Sequence, residues 1–500
     1  MSSGRRLFVL VFVVAVIAAG VVTDHLVHRT AAAAAQTLEP RLPSLAPASA
    51  LSSTWFCPAT SSVANGLADG LVVIANPADV PLTGTATLFP SGGTSRTVAV
   101  QVAAQSRISL RPGNYVKSSY TATVVQLDGP TGAVEQQIRG SLGESTSPCA
   151  TSASDHWYFA AGSTDRTDQM LLSLFNPFPG DAVVDLDFST DIGPARPADL
   201  QGLVVPGQGV VVVNIGDHVR RRQVISTSVS VRSGRIVVDR IQIRAPASPV
   251  APAPTSTSAR ATNRAGPASA PSTPIGVTLT LGVPAPGRYW VFPDGVTAPG
   301  VDERYEFYNP GDGEAHVSLT LVLDRGSADP FDLTVPAHAR LTLVVNGESR
   351  IPPGIAHAGV VQSSNGVGVV VERVISAGPP SSHLGISDLT GSPVASPHWV
   401  FAAGAANKVQ DEWLVAYNPG HTPAHLSVMA YVSGQPLVVD GLQGVEIQPG
   451  ERVPMRLGDH LSQGNLMLVV DAEAPIVVER DLYRLSGIGM SASLGIPSAG

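Results

Sequence analysis

The sequence predicts an all-β protein: four immunoglobulin-like β-sandwich modules in tandem behind one N-terminal transmembrane helix. Three observations carry this. One residue pattern recurs four times along the chain, and such internal repetition fixes an architecture before any local motif does. Short runs of Val, Leu, Ile and Thr are broken every ten or so residues by Gly, Pro and Asn, the signature of strands joined by turns. Amphipathic helical periodicity is nearly absent beyond the first apolar run, whereas alternating or continuous β-branched stretches abound.

The repeat has three markers. The first is Trp157-Tyr158-Phe159-Ala160-Ala161-Gly162, with versions at Trp290-Val291-Phe292-Pro293 and Trp399-Val400-Phe401-Ala402 and a degenerate one at Trp55-Phe56-Cys57-Pro58. The second is an Asn-Pro pair at Asn76, Asn176, Asn309 and Asn418, which lies 19 residues after the Trp in three copies and 21 in the first. The third is an apolar strand carrying an acid then a base, Val237-Val238-Asp239-Arg240, Val370-Val371-Glu372-Arg373 and Val477-Val478-Glu479-Arg480, with Glu135 as the first copy's counterpart. From Asn to acid the distances are 59, 63, 63 and 61 residues, so length varies mainly in turns. A copy of about 100 residues is the size of an immunoglobulin-like sandwich and twice that of a propeller blade.

The text Gly487 to Pro497 near the C-terminus has a similar counterpart in Gly276 to Pro284, and it marks each module's last strand. This sets the boundaries: 1–28 for a cytoplasmic stub and anchor, 29–50 for a spacer, and 51–150, 151–285, 286–394 and 395–500 for the modules. The Pro, Ala, Ser and Thr-rich stretch 245–274 is an insertion ahead of the second module's last strand, read as a disordered loop.

Leu7 to Val22 is an unbroken apolar run preceded by Arg5 and Arg6, an export signal. Its length lies between a signal-peptide core and a comfortable span, and the small residues suited to cleavage begin only at Ala31. An uncleaved single-pass anchor in the plasma membrane is therefore expected, with the N-terminus cytoplasmic and the bulk of the chain extracytoplasmic. Secretion after cleavage is the alternative. Cys57 and Cys149, the only cysteines, both fall outside the membrane and read as a disulfide.

Only 14% of residues are charged and the net charge is -8, so no basic field exists to capture nucleic acid. No G-x-S-x-G, S-x-x-K, H-E-x-x-H or phosphate-binding glycine loop occurs, and neither calcium nor zinc ligand clusters appear, so no catalytic residue, metal or cofactor is assigned. Trp55, Trp157, Trp290 and Trp399, fixed in the repeat, read as core fillers rather than sugar platforms. Trp413 has no counterpart and is the candidate ligand contact. Glu135, Asp239, Glu372 and Glu479 sit among apolar neighbours and need partners if buried. The expected partners are backbone N–H groups of the Asn-Pro turn in the same module.

The layout of anchor, W-x-F-A-x-G, L-x-x-x-N-P and V-V-x-E-R resembles an actinobacterial family of exported, membrane-anchored proteins catalogued only as a domain of unknown function. The resemblance implies class and location, not mechanism. The expected function is that of a non-enzymatic structural or interaction protein of the cell envelope, with an envelope protein or wall polymer as partner. A carbohydrate or wall-polymer binding array and an envelope hydrolase with an unrecognised site are the alternatives.

Overall fold

The computed structural model describes residues 42–62, 69–245 and 274–498. The apolar run Leu7 to Val22 and residues 246–273 of the expected insertion lie outside them. Among the described residues no helix is long and apolar enough to cross a membrane.

The fold is all-β, built of antiparallel sheets joined by turns and a few single 3-10 turns. In the first unit the strands are β1 (Ser53–Thr60), β2 (Asp69–Asn76), β3 (Leu82–Pro90), β4 (Arg96–Val102), β5 (Ser106–Leu110), β6 (Thr121–Leu127), β7 (Ala133–Gly140) and β8 (Gly143–Pro148). They form two four-stranded sheets, ordered β1-β6-β3-β4 and β5-β2-β7-β8. The same order recurs in the stretches beginning at His156, Tyr289 and Ser396, so the chain folds as a series of like two-sheet units. The last unit differs most in its longest strand. Met467–Arg484 runs unbroken through both of its sheets, where the first unit uses β6 and β7.

Side-chain alternation explains the layering. Along Ala182–Thr190, Ala182, Val184, Leu186 and Phe188 are buried while the intervening residues are partly exposed, as a strand with one core face requires. The acid-bearing strands behave otherwise: seven of the eight residues of Val237–Arg244 are buried. One face of these strands covers its own unit's core, and the other packs against a neighbouring unit.

Those neighbours close on themselves. The last strands of the four units, Gly143–Pro148, Gly276–Leu281, Gly385–Thr390 and Met490–Leu494, pack in a cycle, the fourth against the first. Apolar contacts span the junctions as well. Phe89 meets Phe175 with ring centroids 5.4 Å apart, Tyr158 meets Tyr308 at 6.5 Å, and Val400, Ala402 and Val469 of the fourth unit join the core of the first. Residues expected as spacer enter this assembly: Leu45 is buried in the first unit's core and its N–H donates to Pro497 O at 2.9 Å.

Cys57 and Cys149 form a disulfide across a separation of 92 residues, tying β1 to the end of β8. On loop-closure entropy such a cross-link stabilises by roughly 4 to 5 kcal/mol at most. Replacing both cysteines by Ala is expected to lower unfolding free energy by up to about that amount, measured by denaturant unfolding against the parent; an unchanged midpoint would show that the denatured chain is not constrained by it.

Candidate functional site

The marker residues are where the units meet. In every unit the acid lies opposite the end of the last strand, in the pairs Glu135 with Pro148, Asp239 with Leu281, Glu372 with Thr390 and Glu479 with Leu494. Adjacent residues of a strand point to opposite faces, so acid and base of one unit serve two different junctions. Glu372 accepts a hydrogen bond from Ala160 N at 2.9 Å and one from Arg240 Nη2 at 2.7 Å, both in the preceding unit. Glu479 accepts from Asp294 N at 3.1 Å and is paired with Arg373, again of the preceding unit. Glu135 accepts from Ala403 N at 2.7 Å and from Arg480 Nη2 at 3.1 Å, which joins the fourth unit to the first. These three acids thus bond the Trp strand's end in the unit before them, and not the Asn-Pro turn of their own unit as expected. Spacing along one module reveals that an acid recurs, but not that its partner belongs to the preceding copy.

The remaining junction is different in kind. Gln136 stands where the other units have Arg, and its amide donates to Asp239. Asp239 is fully buried with Oδ1 unpartnered among the described residues, and burial pushes its carboxyl well above the usual range. A protonated acid beside a neutral amide is the consistent pairing. At the charged junctions burial also pushes Glu135 and Glu479 up, against the opposing pull of Arg480 and Arg373.

The bases are held as closely as the acids. Arg240 lies 5.2 Å from the Phe159 ring centroid and Arg480 5.2 Å from that of Phe401, and both donate to the backbone of their own Trp segments at Ala161 O and Ala403 O. Two further arginines escaped the sequence reading because no repeated text surrounds them. Arg107 of β5 donates to Ala402 O at 3.0 Å and Leu466 O at 3.3 Å, and Arg452 donates to Pro293 O at 3.1 Å and pairs with Asp324 at 2.8 Å. Both reach the unit that precedes them in the ring.

The other markers are internal struts. Trp55, Trp157, Trp290 and Trp399 are buried, and three of them donate Nε1–H to carbonyls just ahead of the acid strand: Ile236 at 2.8 Å, Val369 at 2.9 Å and Ile476 at 3.0 Å. Asn76, Asn176, Asn309 and Asn418 close the following loop with one geometry. Each Nδ2 donates to the carbonyl four residues on, at 2.7, 2.7, 2.7 and 2.8 Å, and each Oδ1 accepts the N–H two residues on. Trp413 is half-buried, with Nε1 donating to Asp411 Oδ2 at 3.1 Å. Among the described residues no three His, Cys, Asp or Glu side chains converge to hold a metal ion.

One slot varies between units. Behind the Trp segment the third unit places Glu303 and His357, both fully buried, with Nε2 and Oε2 3.0 Å apart. The fourth places Glu412, buried, with neither oxygen hydrogen-bonded among the described residues. Burial pushes Glu412 up to about 7, opposed by the charge of Arg480.

The fold and these junctions define an all-β protein whose repeated polar residues fasten like units head to tail. The chain belongs to a family of unknown function, DUF5719, whose model matches residues 128–245 and 279–484. No curated protein matches it. Among solved structures it is similar to a Thermotoga maritima protein described as 1070, at 20% identity and TM-score 0.20, over 21% of this chain and 94% of that one. It is also similar to the Anabaena sensory rhodopsin transducer, at 32% identity and TM-score 0.16, over 17% of this chain and 93% of the transducer.

Removing one partner of a buried ion pair strands the other charge, at about 3 to 5 kcal/mol. Glu135→Ala is expected to lower stability by that order, while Glu135→Gln with Arg480→Gln recovers most of it, read by urea unfolding. For Glu412 the folded value is raised, so its contribution is greatest below the ordinary carboxylate value and is lost as pH rises through about 7. Glu412→Met, the residue at the equivalent place in the second unit, should therefore melt with the parent at pH 4 and be more stable at pH 8 by up to about 3 kcal/mol. Equal melting at both pH values would show that Glu412 carries no such penalty.

Proposed function

We propose that this chain is a non-enzymatic structural or interaction protein of the cell envelope. In this reading four immunoglobulin-like modules are tethered by the N-terminal segment to the plasma membrane and carried outside it as one closed platform, in an actinobacterial host. The observation that supports it is the ring-closing contact of Glu135 with Arg480 and Ala403 N. The repeated acids and the arginines that follow them are engaged in joining units to one another, which is the chemistry of a scaffold. The Arg-rich N-terminal flank, the apolar run and the disulfide agree with an extracytoplasmic setting. The partner is an envelope protein or a wall polymer, met by the surfaces in which the units differ.

The test is topology and retention in a bacterial host, with the full chain carrying a C-terminal alkaline phosphatase. Active phosphatase sedimenting with membranes, and failing to be exported when residues 1–28 are deleted, is the expected result. Phosphatase that is inactive in the full-length fusion would overturn the location, and active phosphatase found only in the medium would replace the anchor by a cleaved signal.

A further inference from the structure

Four arginines of the second unit, Arg166, Arg220, Arg221 and Arg222, have guanidinium groups with neither a hydrogen bond nor an ion pair among the described residues. Arg166, Arg220 and Arg221 are exposed and Arg222 is half-buried. They stand on two adjacent turns, one after the Trp segment and one after the 3-10 turn Ile215–Asp217. The turns are laced together. Arg221 N donates to Thr164 O at 2.9 Å and Thr164 N to Arg222 O at 3.0 Å, while Thr164 Oγ1 donates to Val219 O at 2.6 Å and Ser163 Oγ to Arg222 O at 3.1 Å. These bonds use backbone groups and hydroxyls, so the frame is fixed and the guanidinium groups stay unengaged.

The corresponding turn begins the same way in the first and fourth units, where Val116 N donates to Pro112 O and Leu461 N to Leu457 O, as Val219 N does to Ile215 O. It continues there as Lys117-Ser118-Ser119-Tyr120 and Ser462-Gln463-Gly464-Asn465, and neither repeats the arginines. Lys117, the one basic residue in them, is engaged with Gly113 O. Arg221 also holds a left-handed backbone, φ 55°, which Gly or Asn adopts more readily. Asp165 and Asp217 share the two turns, and Asp165 Oδ1 accepts the Arg166 N–H at 2.8 Å. The turns therefore keep an excess of positive charge on a chain whose net charge is -8.

These turns stand where the second unit's last strand begins, since Asp168 pairs with Arg244 and Arg244 with Gly276. The starts of the last strands gather at that end, Gly276 against Gly385, Gly385 against Met490 and Gly143 against Gly489. Leu42 and Pro43 dock at the other end, beside Pro148, Val283 and Gly495, about 20 Å away along a strand of six residues. We propose that the two turns are a binding surface for a polymer that carries phosphate groups along its chain, each guanidinium taking one phosphate. Guanidinium forks match phosphate oxygens and are weakly hydrated. Several of them spread over a rigid frame suit spaced phosphates better than a single ion. The choice of a polymer over membrane headgroups rests on the tether proposed above, which puts the membrane at the other end of the ring.

The test is a titration of the full chain, in neutral detergent micelles, with a fluorescent glycerol phosphate oligomer read by anisotropy. With four phosphates neutralised, the counterion rule for single-stranded polyanions gives a fall in affinity of about 50-fold for an about fourfold rise in salt. Arg220→Ser with Arg221→Ser removes two contacts and is expected to reduce that fall to about sevenfold. Arg235→Ser with Arg325→Ser makes the same change of net charge at exposed arginines elsewhere and is expected to behave as the parent. Inorganic phosphate or polyglutamate that competes as well as unlabelled oligomer would overturn the phosphate polymer. Micelles doped with phosphatidylglycerol that compete as well would assign the turns to lipid and overturn it too. Equal loss in both double variants, or no binding of the oligomer, would overturn the surface itself. The first double variant leaves the backbone bonds in place and is expected to melt with the parent; if it melts early, Arg220→Glu alone decides, weakened binding upholding the surface and unchanged binding overturning it. The phosphatase fusions test location without reference to these arginines, so either reading can fail alone.

Discussion

Everything in this architecture depends on a buried carboxylate whose partners lie in another unit. A fully buried acid must find hydrogen bonds and an opposing charge or give up its own. Here the acid of each unit looks backward and the residue after it, Arg in three units and Gln136 in the first, looks forward, a head-to-tail interface. Interfaces of that type either run on as an open series or close when the rotation per step allows it. An open series would leave Glu135 at one end and Arg480 at the other without partners. Both are fully buried and bonded to each other, so the four steps bring the chain back to its start.

The units are alike but not equal, and the differences follow a physical logic. In three units a Phe two residues after the Trp presses its ring on a glycine past the last strand: Phe159 on Gly282, Phe292 on Gly391 and Phe401 on Gly495. A Cβ built on any of these glycines would come within 2.8 Å of the ring, so the contact needs the bare backbone. The first unit has Cys57 in place of the Phe and Cys149 in place of the glycine, and a covalent bond fills the place of the ring contact. The same unit has Gln136 instead of Arg, and the cation that lies over Phe159 and Phe401 has no counterpart there. The two departures occur together.

The all-β class and the recurrence of markers were legible in the sequence because strand alternation and equal spacing are local properties. Burial of the acids followed from their apolar neighbours. The identity of their partners did not, since the ends of an inter-unit bond such as Glu135 and Arg480 lie hundreds of residues apart with nothing between them to count. Arg107 and Arg452 sit in strands of unremarkable text, and their role comes only from the ring's geometry. Leu45 looked like spacer because Ala, Pro and Ser surround it, yet one leucine in such a stretch suffices to dock it against Pro497.

The disulfide has a mechanical meaning. Any pull on the chain before Leu42 is delivered to Leu45 and then to β1, the strand that would peel first. Cys57 hands that load through a covalent bond to β8, one of the strands on the axis, instead of through the hydrogen bonds between β1 and β6 alone. In the three other units an aromatic ring on a glycine holds the equivalent place. The cross-link stands in the unit whose first strand follows Leu45.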